Sequence, residues 1–330
     1  MIGVRPVPMS SIRQGRGRQR SRMATGCRVT MMSLLLALAT LTTLLSPALG
    51  QDAGTLADPG PYEVLTSEVS VPRTRGGEGS FEARLYVPLP REPGTTESPS
   101  PVVAFGHGYQ ARVDDYESTL AHLASWGIVI IAPRSAGELF PDHAAFADDL
   151  LSALDWVAAE AGSGNRDWPG GPVDPEALGL SGHSMGGGAA LLAAARDPAI
   201  RAVATLAAAE SDPSAIDAAA SIAAPVLFLA AADDAITPLA EHQRPMFEAK
   251  ASGRAQLRTI VGASHCGFLD IETLLLRLVC DKAAIGAEEQ RRITREILVA
   301  WLRHELAGDD SVANLAWPDA SDGATLVETR

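Results

Sequence analysis

The stretch "LGLSGHSMGGGAALLAA", Leu178 to Ala194, changes character in its middle. Before it, "ALGLS" reads as a short buried strand; after it, "AALLAAA" reads as a helix, which puts Ser184 on the corner between the two. Gly182 and Gly186 stand two residues to either side, where a very tight strand-to-helix turn leaves no room for a side chain. Gly187 and Gly188 would let the helix lie close on the sheet. A serine on such a corner is exposed at the top of the sheet, as the G-x-S-x-G pattern "GHSMG" requires of a nucleophile. The pattern alone is weak; its position between a strand and a helix is what carries it.

Working outward, "YEVLTSEVSV" and "SFEARLYV" flank the glycine-rich turn "RTRGGEGS" and predict an antiparallel pair from Tyr62 to Val87, followed by the polar loop "PREPGTTESPSP". Strands and helices then alternate. "PVVAF" precedes a helix from Asp114 to Trp126, and "IVIIAP" one from Ala144 to Glu160. "AVATLA" leads to a short connection, "PVLFLAA" to a helix from Pro238 to Ala251, and "QLRTIV" to a long amphipathic helix from Glu288 to Leu306. Apolar strands alternating with helices imply a mostly parallel central sheet with helices on both faces. Only 19 residues, Ala207 to Pro225, separate two of these strands, too few for a large cap domain over the site. The acidic tail 308–330 reads as a loosely attached end.

Ligands of an open parallel sheet gather at the carboxyl ends of its strands, and unusual residues fall there. A serine hydroxyl needs a base, and the base an orienting carboxylate. Of the seven histidines, His265 follows "QLRTIV" through the tight loop "GAS", downstream of Ser184; His183 adjoins the nucleophile, and His122 and His304 lie on helices. The acid is Asp233 or Asp234 in "FLAAADDAITP"; the residues alone do not choose, and the other would cap the helix starting near Pro238. Two N–H donors for an oxyanion are expected from Met185, at a helix N-terminus, and from Tyr109 in "GHGYQ", where Gly108 permits a tight turn. The ring of Tyr109 lines the acyl site or merely packs its own loop. His143, Asp148 and Asp149 in "PDHAAFADDL" read as a solvated helix face, because their spacing matches no metal site. Trp168 in "GNRDWPGGP" reads as a surface loop residue at the far end of the sheet. Neither a Walker loop nor G-x-G-x-x-G occurs, so no cofactor and no metal are expected.

Residues 1–50 differ from the rest of the 330-residue chain. Seven arginines and no acidic residue precede an apolar run from Met31 to Leu45 and then "SPALG". This describes a secretory signal peptide cut near Gly50, with Met23 or Met31 as alternative starts; a retained interfacial anchor is the other reading. Residues 51–330 then form one catalytic domain, its core about 62–306. Taking the seven arginines from 27 basic residues leaves 20 against 40 acidic ones, a net charge of −20. Such a surface repels nucleic acid and anionic lipid and favours neutral substrates. Cys27 leaves with the signal, and the pair Cys266 and Cys280 in an exported chain reads as one disulfide. A secreted or periplasmic monomer without a membrane span is expected.

Together, "GHGYQAR", "GHSMGGG", "DDAITP" and "GASHCGF" resemble the α/β-hydrolases of the dienelactone hydrolase and chlorophyllase-like type, which include bacterial cutinases and polyester hydrolases. The resemblance runs from about Tyr62 to Leu306. It implies the α/β-hydrolase fold, the chain order Ser184, Asp, His265, and ester hydrolysis on a soluble or polymeric ester substrate. The D-x-I-x-P stretch of the polyester hydrolases matches Asp234 to Pro238 and so selects Asp234. It also supports Tyr109 and Met185 as oxyanion donors. This chain departs where those enzymes carry a tryptophan: it has "AAAESDPS", with Glu210 near the matching place. Dienelactone hydrolases proper use a cysteine nucleophile, and a serine stands here, so their reaction is not expected.

Overall fold

The computed structural model describes residues 55–89, 98–164, 168–271, 280 and 283–330. The expected signal segment and most of the polar loop after residue 89 lie outside them. Among the described residues, nine strands form one sheet in the order β1-β2-β4-β3-β5-β6-β7-β8-β9. They are β1 (Val64–Pro72), β2 (Ser80–Pro88), β3 (Ser100–Gly106), β4 (Val129–Pro133), β5 (Val173–His183), β6 (Ile200–Leu206), β7 (Val226–Ala231), β8 (Ala255–Ile260) and β9 (Thr325–Thr329). β1 pairs antiparallel with β2 and β2 with β4; the pairs from β4 through β8 are parallel. This is the α/β-hydrolase architecture.

The central strands are apolar on both faces because both faces are covered. In β7, Val226, Phe228 and Ala230 join one core cluster while Leu227, Leu229 and Ala231 join the other, the period of two expected of a strand. The first cluster lies under α2 (His143–Gly162) and α3 (Met185–Arg196); the second lies under α1 (Glu117–Ser125) and α6 (Ala287–Ala307). α6 buries Ile293, Ile297, Trp301 and Leu302 on one stripe and ends at Gly308, whose φ of 65° lets the chain turn out of the helix.

Four expectations need correction. α5 spans only Gln243–Ala249, because Pro238 opens a hydrogen-bonded turn before the helix begins. The tail is not loose: β9 pairs antiparallel with β8 along its whole length, and Trp317 packs at a tilt on the buried Trp301 with ring centres 4.7 Å apart. Asp148 and Asp149 do not form a solvated face, since Asp149 is buried in a two-pronged pair with Arg73 (2.7 and 3.0 Å) and Asp148 bonds Arg196 at 2.7 Å. Trp168 is half-buried against the core, its ring N–H donating to the Gly171 carbonyl at 2.9 Å. The short connection after β6 holds α4 (Ala215–Ser221), which packs on α3 and α5.

Candidate active site

The corner after β5 is as tight as its glycines imply. Ser184 has φ 55° and ψ −119°, a left-handed conformation rare for a residue with a side chain. Its backbone is held there from both ends: the N–H donates to Leu206 at 2.9 Å, and its carbonyl accepts from Gly187, Gly188 and Ala209 at 3.0, 3.1 and 2.9 Å. A Cβ on Gly186 would run into the carbonyl of Gly106, and one on Gly182 into the backbone of Gly186. No larger residue fits either place.

At the ends of β7 and β8, Asp234 and His265 meet. Nδ1 of His265 lies 2.8 Å from Oδ2 of Asp234, and both side chains are buried. Oδ1 of Asp234 accepts the N–H groups of Ile236 and Thr237 at 2.9 and 2.8 Å. Burial alone would raise the pKa of this carboxyl, but the bonds from His265 and Thr237 outweigh it and hold it below the usual carboxylate range. Asp233 is exposed, and the carboxylate that meets the imidazole is that of Asp234. Asp233 does not cap the next helix; Asp234 itself caps the turn that follows.

Two residues at this junction were not legible as functional. The Thr237 hydroxyl donates to Asp234 Oδ2 at 2.9 Å and also lies 3.1 Å from the Ala207 carbonyl and from His265 Nδ1. Gln290, fully buried on α6, accepts the Ser264 N–H at 3.0 Å and donates to the Ser264 carbonyl at 2.8 Å, gripping the loop that carries His265. "DAITP" contained the first signal; a polar residue on the apolar stripe of α6 was the second.

Ser184, His265, Tyr109 and Ile236 line one cleft of about 350 Å³, which the disulfide Cys266–Cys280 closes on another side. The two Cα atoms of that bridge are 5.8 Å apart, within the usual span. Tyr109 is half exposed and its hydroxyl donates to the Leu139 carbonyl at 3.0 Å, so its ring belongs to the cleft and its tip to the neighbouring loop. Met185 is the first residue of α3, directly after the elbow. Glu210 takes no part: its carboxylate receives the Ser214 hydroxyl and the Ile216 N–H at 2.5 and 2.9 Å, holding the start of α4. His122 is buried with its ring bonded to the Leu56 carbonyl, a structural role. Among the described residues, no group of three His, Cys, Asp or Glu is arranged to hold a metal ion, and no helix is long and apolar enough to cross a membrane.

The chain is similar in sequence to known proteins. A bis(hydroxyethyl) terephthalate hydrolase of Streptomyces coelicolor is 31% identical over 193 residues, 57% of this chain and 55% of that one. Cutinase est1 of Thermobifida alba is 30% identical over 189 residues, 57% of each. Cutinase 2 of Thermobifida cellulosilytica is 27% identical over 275 residues, 82% of this chain and 90% of that one. The chain thus spans little more than half the length of the first two relatives. The family profile described as PET hydrolase-like matches residues 49–278, most of the chain, and the protein belongs to that family.

Proposed function

We propose that this protein is a serine hydrolase that cleaves carboxylic esters through an acyl-enzyme. The observation that carries the reading is the buried Asp234–His265 pair, 2.8 Å apart, opening on the same cleft as a serine held at a left-handed corner. Ser184 Oγ bonds to the ester carbonyl carbon while His265 Nε2 takes its proton. The C–O bond to the alcohol then breaks, and the alcohol leaves with that proton. Water repeats the sequence on the acyl-enzyme and releases the acid. Asp234 keeps the ring proton on Nδ1 and steadies the imidazolium that forms. The N–H groups of Tyr109 and Met185 receive the negative oxygen. The segment 1–50 is read as an export signal, so the enzyme works outside the cytoplasm, as a monomer without cofactor.

A fluorophosphonate probe tests this directly. The wild-type chain is expected to gain one covalent label and Ser184→Ala none; a folded wild-type chain that stays unlabelled overturns the reading.

A polymeric ester is a second reading with its own support. Leu139 and Phe140, 62% and 87% exposed, stand on the loop that Tyr109 bonds, beside the cleft mouth. Exposed apolar side chains at a cleft suit a water-insoluble neutral chain, and relatives named cutinase agree. A clearing halo on polyester agar, set against turnover of soluble p-nitrophenyl esters, separates the two substrates.

A further inference from the structure

Two buried groups that the proposed reaction does not use, Tyr116 and His183, meet at the cleft wall, which His183 lines and Tyr116 backs. Tyr116 closes the short helical turn Val113–Tyr116 and is fully buried. Its hydroxyl accepts the Gly108 N–H at 3.0 Å and lies 2.9 Å from Nδ1 of His183. A phenol has one hydrogen to give. With the Gly108 N–H already directed at the oxygen, that hydrogen points to Nδ1, which makes Nδ1 the accepting nitrogen and puts the ring proton of His183 on Nε2. The His183 ring packs against that of His265, centres 4.5 Å apart, and against Phe268 at 5.4 Å. Gly108 sits so close that a Cβ there would lie 3.1 Å from both Tyr116 Oη and His183 Nδ1, and 3.4 Å from the Cβ of Ser184.

We infer that Tyr116 is a positioning residue of the reaction: its one hydroxyl fixes the Gly108–Tyr109 backbone over Ser184 and, at the same time, the neutral tautomer of the ring packed on His265. The inference rests on the ester-hydrolase reading. One link is geometric. Tyr109 supplies an oxyanion donor in that reading, and the preceding N–H is tied to a residue that cannot move because it is buried on every side. The other is electrostatic. His265 becomes a cation while it carries the serine proton, and a second cation in the adjacent ring would oppose that step. A proton on Nδ1 of His183 would aim two N–H donors at the Tyr116 oxygen and leave the phenol hydrogen without an acceptor in a dry site. The titratable groups around His183 are Tyr116, His265 and Asp234, with Asp115 adjoining Tyr116. Burial, then the charge of His265, hold His183 well below the ordinary histidine range, against the opposing pull of Asp234.

The test begins with wild-type turnover of p-nitrophenyl butyrate; if there is none, the ester-hydrolase reading fails, and the tautomer measurement below still decides the His183 half of the inference. With activity present, Tyr116→Phe is expected to lower kcat about tenfold or more while KM stays within about twofold, since a small shift of the Gly108–Tyr109 backbone misaims the oxyanion donor, whereas Tyr116 itself does not line the cleft that binds the substrate. A folded Tyr116→Phe whose kcat stays within twofold of wild type, or whose loss is carried by KM, overturns the inference. Because a buried tyrosine variant can fail to fold, the second measurement uses the wild-type chain. Nitrogen-15 NMR of its imidazoles, with His183→Asn made only to assign the signal, is expected to show His183 protonated on Nε2 and bare on Nδ1 from about pH 7 to pH 9. A proton on Nδ1 in that range overturns it.

Discussion

At the scale of single residues, the site is a set of hydrogen bonds that leaves each group one role. Asp234 accepts four donors, from Ile236, Thr237 twice and His265. Asp234→Asn replaces an acceptor with an amide that must turn a donor toward His265 or Thr237, favouring the wrong imidazole tautomer. In the proposed reaction kcat then falls on the order of 10⁴-fold, the loss the same exchange causes in a serine-protease triad. Thr237→Val removes one of the four donors and leaves the pair standing, so kcat falls only about two- to tenfold, the worth of one hydrogen bond. Steady-state kinetics on a soluble ester measures both, and equal losses would contradict the ranking. The depressed pKa of Asp234 also fixes a sign. A carboxyl whose folded pKa lies below its unfolded value stabilises the fold above about pH 4 and loses that contribution as pH falls through the folded pKa. The stability gap between wild type and Asp234→Asn is therefore expected to be widest near neutrality and to close below pH 4, as followed by urea unfolding at each pH. A gap that grows on acidification would reverse the assignment.

Elements position these residues by close approach rather than by many contacts. The elbow depends on α3 lying against the ends of β3 and β5, where Gly186 and Gly106 leave no space for a Cβ between them. Gly186→Ala is expected to destabilise the fold by about 1–3 kcal/mol, the cost of one overpacked methyl group, and to weaken fluorophosphonate labelling, because the helix can only make room by dragging Ser184 with it. Normal labelling at wild-type stability would show that the corner has slack. On the other side of the cleft, Cys266 follows His265 directly and is bridged to Cys280, 14 residues on. Closing a loop of that length stabilises by about 3 kcal/mol in the chain-entropy model. Cys280→Ser is expected to lose roughly that much in urea unfolding, and wild type under reducing conditions to match it. These devices were readable in the sequence because each is local: glycines at fixed offsets, a histidine after a strand, a cysteine beside it. Tyr116 and Gln290 were not, because their hydroxyl and amide groups act across the fold on partners 67 and 26 positions away; Thr237 acts on Asp234 three positions before it, but a threonine in a turn carries no mark of that bond.

Across the whole molecule, the alternation of apolar strands with helices revealed the parallel sheet and the face that bears the site, since burial on both sides leaves a signature in composition. What it hid was the last strand. The tail is acidic and carries "TLVET" just before Arg330, five residues with one charge and no strong period, and only the partner strand makes it a strand. The structure gives that partner a reason to need it. On β8, Gln256 and Arg258 are buried; the Arg258 guanidinium reaches Thr325 Oγ1 at 3.2 Å and the Leu315 carbonyl at 2.9 Å, while Gln256 donates to the Ala316 carbonyl at 3.2 Å. All three acceptors belong to the tail. Trp317 adds its tilted ring contact with Trp301, with the Arg254 guanidinium 4.4 Å from its ring centre and its N–H donating to Glu305 at 2.6 Å. Removing residues 309–330 strips β8 to an unpaired edge, opens the second core at Trp301 and leaves two polar side chains without partners. The truncated chain is expected to lose about 3 kcal/mol or more, since half-buried Trp317 goes together with buried Val312 and Ala316 and a whole strand, and to scatter light at concentrations where the full chain stays clear, since a bare edge recruits other strands. None of the removed residues lines the cleft. Ester turnover by the fraction that remains folded is therefore expected to match the full chain at low temperature, and a truncated protein of undiminished stability would mean that β8 closes the sheet without its neighbour.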